Sequence, residues 1–539
     1  MLFNSYSFIF FFVPVTVAGY FAFGRLSRDW ALGWLILASL GFYAWWNPIN
    51  VLIMTPSVLI NYGLARVLER LADEDNPHPA SKYVLAFGLV FNILFLGYFK
   101  YINFFRTSLN DVLGTDFVLT TVVLPLGISF ITFQKIAFLF DVHGGRVKGF
   151  TFRDYALFVL FFPQLVAGPI VHYREIVPQF QASTGRLNQS DIAVGVTLFV
   201  FGLFKKVVLA DSIGPLVTPI YAQAEAGVPI SLFLAWMAAL GFTLQIYFDF
   251  SGYSDMALGL ARIFGFRLPQ NFNSPLRASS IIDFWLRWHM TLTRFLTAYV
   301  YNPLSLRLTR NRLAGGKRGL SGRNTSLSAF ITLLLYPTIL TMLLSGIWHG
   351  AGYTFIVWGL LHGLFLSANH AWRFIAPKIW PKAVPYDRVM TPLGHVLTIV
   401  LVAISMIFFR ALTMTGALDI FRGLFGLNGV ALPLGIYERL GAGWLQQLGV
   451  TVVVWESEDF LKMGVLIPLL LAIALFLPNT QEVLAAHEPA LGFKHGPDRN
   501  RRINVAWSPS LLWSAGVAAA AMIAIFQLAG PSEFLYWQF

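Results

Sequence analysis

Residues 329–365 read AFITLLLYPTILTMLLSGIWHGAGYTFIVWGLLHGLF, and the fold class turns on this stretch. Two apolar runs, 329–344 and 353–365, flank the short break Ser345-Gly346-Ile347-Trp348-His349-Gly350-Ala351. A titratable ring at bilayer depth is costly, so His349 is a candidate functional group by default. Working outward, further apolar runs occur at 2–23, 83–99, 118–140, 192–210, 230–248, 326–344, 354–371, 393–409, 461–477 and 511–528. Each approaches the ~20 residues needed to cross ~30 Å of hydrocarbon. The chain is 57% hydrophobic and only 12% charged, against roughly 25% charged in soluble domains. The class is an all-α polytopic membrane protein. Run 2–23 has no basic flank before it and is too long for a secretory signal.

The chain has no cysteine, which excludes disulfides, thiolate metal sites and a cysteine acyl-enzyme. The net charge of +12 follows membrane topology, not nucleic-acid binding. Segment 307–323 carries Arg307, Arg310, Arg312, Lys317, Arg318 and Arg323 without an acid, and is placed in the cytoplasm as a flexible loop. Segment 373–388 is also basic and inside. Segment 410–460 has three basic residues against five acids and reads as external. Arg499, Arg501 and Arg502 put 479–507 inside, so the last span delivers the C-terminus outside. Arg25 and Arg28 suggest an external N-terminus. No repeat or domain boundary is visible, and 1–539 reads as one membrane domain.

Residues 281–300, IIDFWLRWHMTLTRFLTAYV, place Asp283, Arg287, His289 and Arg294 in twenty residues. On one continuous helix Asp283, Arg287 and Arg294 share a face, with His289 off that stripe beside Trp285 and Trp288. Such a helix is buried in protein, interfacial or re-entrant. Two readings stay open: structural support with hydrogen-bonded side chains, or a built site. In 245–255, QIYFDFSGYSD, Asp249 and Asp255 either cap and brace the loop or bind a cation. Residues 270–275, QNFNSP, read as an ordered turn. Residues 162–170, FPQLVAGPI, predict helix unwound against protein. Lys205 and Lys206 end an apolar run and are read as snorkelling. His362 reads as a satisfied core histidine. No His, Asp and Glu set has metal spacing.

A neutral imidazole in a low-dielectric cavity suits the role of general base for a hydroxyl. Without a cysteine nucleophile the simplest scheme is direct acyl transfer. A proton-coupled transporter with His349 as relay fits the same residues.

The strings YFDFSGYSDMALGLARIFGFRLPQNFNSP, FWLRWHMTLTRF and SGIWHG, in that order, resemble the membrane-bound O-acyltransferase family, in its bacterial alginate O-acetyltransferase branch, related to teichoic-acid D-alanyl exporters. FYAWWNP, LGYFKYINFF, LPLGISFITFQKIAFLFDV and FFPQLVAGPI add to the likeness. Leu286 stands where the family usually carries a second arginine. The resemblance implies a ring of roughly 11–13 transmembrane or re-entrant helices around a central tunnel. It gives the essential histidine as His349 and the second as His289, supported by Asp283, Arg287, Trp288 and Trp348. It implies no bound cofactor and an acyl-CoA donor, such as acetyl-CoA, on the cytoplasmic side of a bacterial inner membrane. The acceptor is a periplasmic SGNH-type partner or a cell-surface polysaccharide of the alginate type, with peptidoglycan and cellulose as alternatives. Two further expectations concern the edges of the site. Arg307–Arg323 either attracts the donor's phosphates or serves topology alone. Tyr536, in the aromatic tail 534–539, is either an interfacial anchor or an acyl relay through its hydroxyl.

Overall fold

A computed structural model describes the chain apart from residues 72–77, 116–121, 322–324, 382–383, 494–504, 531–534 and 536–539. Tyr536, Arg323 and the arginines at 499, 501 and 502 lie outside the described residues. The protein is a helical multi-pass membrane protein. Among the described residues seven helices are long and apolar enough to cross a bilayer: Pro48–Leu71, Ala80–Leu113, Gln189–Glu225, Leu232–Ile263, Leu327–His349, Tyr386–Arg410 and Ser457–Phe476. Phe8–Gly24 and Leu511–Gln527 are shorter apolar helices.

Pro48–Leu71 is absent from the apolar runs because its polar residues dilute its hydropathy. Asn50, Ser57 and Asn61 are buried against protein. Asn61 is fully buried and exchanges amide hydrogen bonds with Asn92, at 3.2 and 2.6 Å. Within the described part of run 118–140 the helix is Ile128–His143, which starts after Gly127 in the left-handed region at φ 69°. Run 354–371 lies inside Tyr353–Ile379.

The described chain divides into two compact units. The first comprises Met1–Phe204, Gly252–Gln270 and Thr480–Ala529. One close helix contact in it runs along glycines. A Cβ at Gly195 would lie 2.7 Å from the Gly259 carbonyl oxygen, and one at Gly202 would lie 2.5 Å from that of Gly252. Small residues let backbones approach in this way where lipid offers no hydrophobic drive. The 162–170 segment is a single helical turn, Phe162–Leu165, followed by irregular backbone, all of it buried. Asp255 accepts from Gln481 Nε2 in this unit.

The second unit comprises Lys205–Ser251, Asn271–Asn479 and Gly530–Phe539. Lys206 does not snorkel. It lies in a π-turn within the long Gln189–Glu225 helix, buried, with Nζ 2.7 Å from Asp211 and 2.6 Å from Asp249. A cation at that depth is tolerated only because carboxylates meet it. Asp249 and Asp255 thus have separate partners. The 410–460 segment is not wholly helical: Val430–Pro433 and Val450–Val453 pair as a two-stranded parallel sheet. The basic 307–323 stretch is only partly a loop. Asn302–Ala314 is helical and carries Arg307, Arg310 and Arg312, and Arg312 Nε donates to the Arg318 carbonyl at 2.7 Å.

Candidate active site

The 281–300 segment is not one helix. Ile281–Trp285 and Met290–Leu296 are separated by turns, and a π-turn, Thr297–Tyr301, follows. The common face expected for Asp283, Arg287 and Arg294 therefore does not form. Asp283 and Arg287 still pair at 2.8 Å, but their side chains are 29% and 33% exposed. The break falls at His289, whose backbone is left-handed at φ 42°, ψ 50°. For a non-glycine residue that conformation costs on the order of 1–2 kcal/mol, and the surroundings must enforce it.

The enforcing element is the 271–273 turn. Asn273 N donates to the Arg287 carbonyl and Met290 N to the Asn271 carbonyl, both at 2.9 Å. The side-chain oxygen of Asn271 accepts from Thr291 N at 3.4 Å and from Thr291 Oγ1 at 2.9 Å. It caps the Met290–Leu296 helix, since His289 makes no side-chain cap of its own. His289 Nδ1 lies 3.0 Å from the same oxygen. His289 Nε2 is buried without a hydrogen-bond partner.

His349 arrives from a different element. It is the last residue of Tyr336–His349, and Gly350 beyond it is extended. One turn earlier, Gly346 lets Tyr353–Ile379 come close: a Cβ there would lie 2.3 Å from the Phe355 carbonyl oxygen. The two imidazole centroids are 6.3 Å apart, with planes at 56°. Around His349 stand Trp348 at 4.7 Å, Trp358 at 5.1 Å and Phe409 at 5.2 Å. Around His289 stand Phe250 at 4.8 Å and Trp348 at 6.2 Å. His289 is 0% exposed and His349 6%. Ser345 Oγ, one turn before His349, and Trp358 Nε1 are likewise buried and unpaired. Buried polar atoms are nearly always paired. His289 Nε2 belongs to the imidazole pair itself and is an atom that a bound substrate can satisfy.

The other expected residues take supporting places. Trp288 stacks on Phe284 at 5.5 Å and meets Phe272 edge-on at 5.1 Å. Trp348 stands against both histidines. His362 is a satisfied core histidine. Trp285 Nε1 donates to its Nδ1 at 3.2 Å, and its Nε2 lies 2.9 Å from Ser405 Oγ. Ser405 Oγ in turn donates to the Val402 carbonyl at 2.7 Å. Asn271, Trp358 and Phe409 were not singled out in the sequence. QNFNSP signalled only a turn, and the two aromatics lie in ordinary apolar helix. No group of three His, Asp or Glu side chains able to hold a metal occurs among the described residues.

Fold and site together define a polytopic membrane protein with a histidine pair buried among aromatic side chains. Residues 146–315 match the membrane-bound O-acyltransferase family. The chain is 38% identical over 468 residues to the peptidoglycan O-acetyltransferase of Helicobacter pylori, covering 80% of this chain and 81% of that one. It is 37% identical over 434 residues to the probable alginate O-acetylase AlgI of Pseudomonas aeruginosa, covering 79% of this chain and 75% of that one. The teichoic acid D-alanyltransferase of Streptococcus thermophilus is 32% identical over 253 residues, covering 46% of this chain and 57% of that one. The chain belongs to the membrane-bound O-acyltransferase family. It is an enzyme that transfers acyl groups to hydroxyls.

Proposed function

We propose that this enzyme moves an acetyl group from acetyl-CoA, on the cytoplasmic side of a bacterial inner membrane, to a hydroxyl outside. The acceptor is a cell-surface glycan of the alginate or peptidoglycan kind, reached directly or through a periplasmic SGNH-type partner. The names of the relatives support both the acetyl group and the glycan class. The observation that carries the chemistry is the histidine pair, 6.3 Å between ring centroids and shut away from solvent.

In the reaction the acceptor oxygen attacks the thioester carbonyl carbon, the new C–O bond forms and the C–S bond breaks. The hydroxyl proton ends on the departing thiol. His349 takes that proton from the hydroxyl and returns it to sulfur, and His289 orients the donor. The aromatic surround keeps water from competing for the thioester. The arginines of Asn302–Ala314 and its exposed continuation attract the donor's phosphates.

Purified protein in nanodiscs, given acetyl-CoA and glycan oligomers, tests the reading. Thiol release coupled to ester formation on the glycan, or on an added SGNH-type partner, is the expected result. No thiol release above buffer with any of these acceptors overturns it.

A further inference from the structure

The contacts of His289 fix where its proton sits. A backbone N–H only donates, so the Asn271 atom that Thr291 N meets at 3.4 Å is the carboxamide oxygen. A carboxamide oxygen only accepts. His289 Nδ1, 3.0 Å from that oxygen, therefore carries the ring proton. In the neutral imidazole the other nitrogen is then a bare acceptor. That nitrogen, Nε2, is the buried atom left without a partner.

We propose that Asn271 is a positioning residue: it holds His289 as the Nδ1-protonated tautomer, so that Nε2 accepts a hydrogen bond from an amide N–H of the acyl donor. The tautomer decides between two roles for this histidine. An imidazole protonated at Nε2 polarises a thioester carbonyl by donating to its oxygen, and a bare Nε2 does not. It accepts instead, and a coenzyme-A thioester offers amide N–H groups on the arm next to its sulfur. The hydroxyl proton is left to His349. The oxygen of Asn271 is itself held firmly. Asn271 is 1% exposed, its carbonyl binds Met290 N, and its side chain also grips the Thr291 hydroxyl. Asn271 thus braces the left-handed turn with its backbone carbonyl, while its side-chain oxygen caps a helix and selects a tautomer. The donor-binding part of this proposal rests on the acyl-transfer reading above. The tautomer does not.

Two measurements test it. The first is 15N NMR of the histidine-labelled protein in nanodiscs, with the His289 signals assigned through His289→Gln. The wild type should show a protonated Nδ1 and an unprotonated Nε2. Asn271→Leu should lose that preference, and Asn271→Asp, which keeps an acceptor oxygen, should retain it. The second is kinetic. Asn271→Leu should raise the apparent KM for acetyl-CoA about tenfold, the scale of one neutral hydrogen bond, with a smaller change in kcat. Asn271→Asp should bring KM back toward the wild type. A role confined to helix capping would lower the yield and melting temperature while leaving the tautomer and KM of the folded fraction unchanged. That outcome, or an Nε2-protonated His289 in the wild type, overturns the proposal, and the wild-type spectrum needs no variant to fold. Absence of thiol release by the wild type would sink the acyl-transfer reading, while the spectrum still decides what Asn271 does.

Discussion

His349 meets Trp348, Trp358 and Phe409 in edge-on ring contacts. Truncating it removes those contacts but leaves Trp358 and Phe409 packed on each other at 5.1 Å, so the protein should still insert and fold. What is lost is the proton acceptor. His349→Ala is expected to reduce thioester-dependent transfer by at least the ~10²–10⁴-fold of a missing acid–base group. The measurement is thiol release per folded molecule, and near-normal turnover would remove His349 from the mechanism. The Asp283–Arg287 pair lies at the other extreme. With both side chains about a third exposed, it is worth no more than about 1 kcal/mol. Arg287→Gln should move the melting temperature by only a few degrees, and a collapse of the fold would show that the pair does more than surface pairing. His349 was conspicuous in the sequence as a titratable ring between apolar runs, whereas His289 stood in a charged segment with two readings open and was pointed to only by the family resemblance. Asn271 was not legible. Its partner His289 lies 18 residues away, and no spacing rule joins a turn amide to a distant ring.

Helix packing here depends on missing side chains. Gly346 and Gly359 sit at the contact between Tyr336–His349 and Tyr353–Ile379, where a Cβ at Gly359 would lie 2.5 Å from the Met342 carbonyl oxygen. Backbone cannot yield there as the tip of a flexible side chain can. Gly346→Val should force the two helices apart, displace His349 from His289 and cut activity by more than tenfold even in the fraction that folds. Retained activity at wild-type melting temperature would mean that the contact relaxes without cost. The break at His289 shows why element boundaries escaped the sequence. Residues 281–301 contain neither glycine nor proline, so no helix breaker marks the interruption. The interruption comes from tertiary hydrogen bonds of the 271–273 turn, which local propensity does not record. The helix Asn302–Ala314 carries Arg307, Arg310 and Arg312. Replacing Arg307, Arg310 and Arg312 with glutamine should raise the apparent KM for acetyl-CoA, and added salt should shrink the difference. An unchanged KM would leave these residues with topology alone.

At the scale of the whole molecule, class and membrane character follow from composition, because 57% hydrophobic residues in long runs admit few alternatives. The division into two compact units did not show. Its boundaries at 204/205 and 251/252 fall inside the long helices Gln189–Glu225 and Leu232–Ile263, so no loop or linker marks them. Orientation rests on loop charge, and the absence of cysteine makes it directly testable. Lys317 lies in the exposed basic stretch assigned to the cytoplasm, and Val454, 94% exposed, lies in the acidic segment assigned to the outside. Each replaced singly by cysteine gives a protein with one thiol. A membrane-impermeant maleimide applied to intact spheroplasts should label Val454→Cys and spare Lys317→Cys until the membrane is opened. The proposed chemistry depends on this polarity, because coenzyme-A thioesters are cytoplasmic and surface glycans are not. Labelling in the reverse order would put the arginines of Asn302–Ala314 on the wrong side to meet a donor, and would overturn the assignment of donor and acceptor faces even if the histidine pair proved essential.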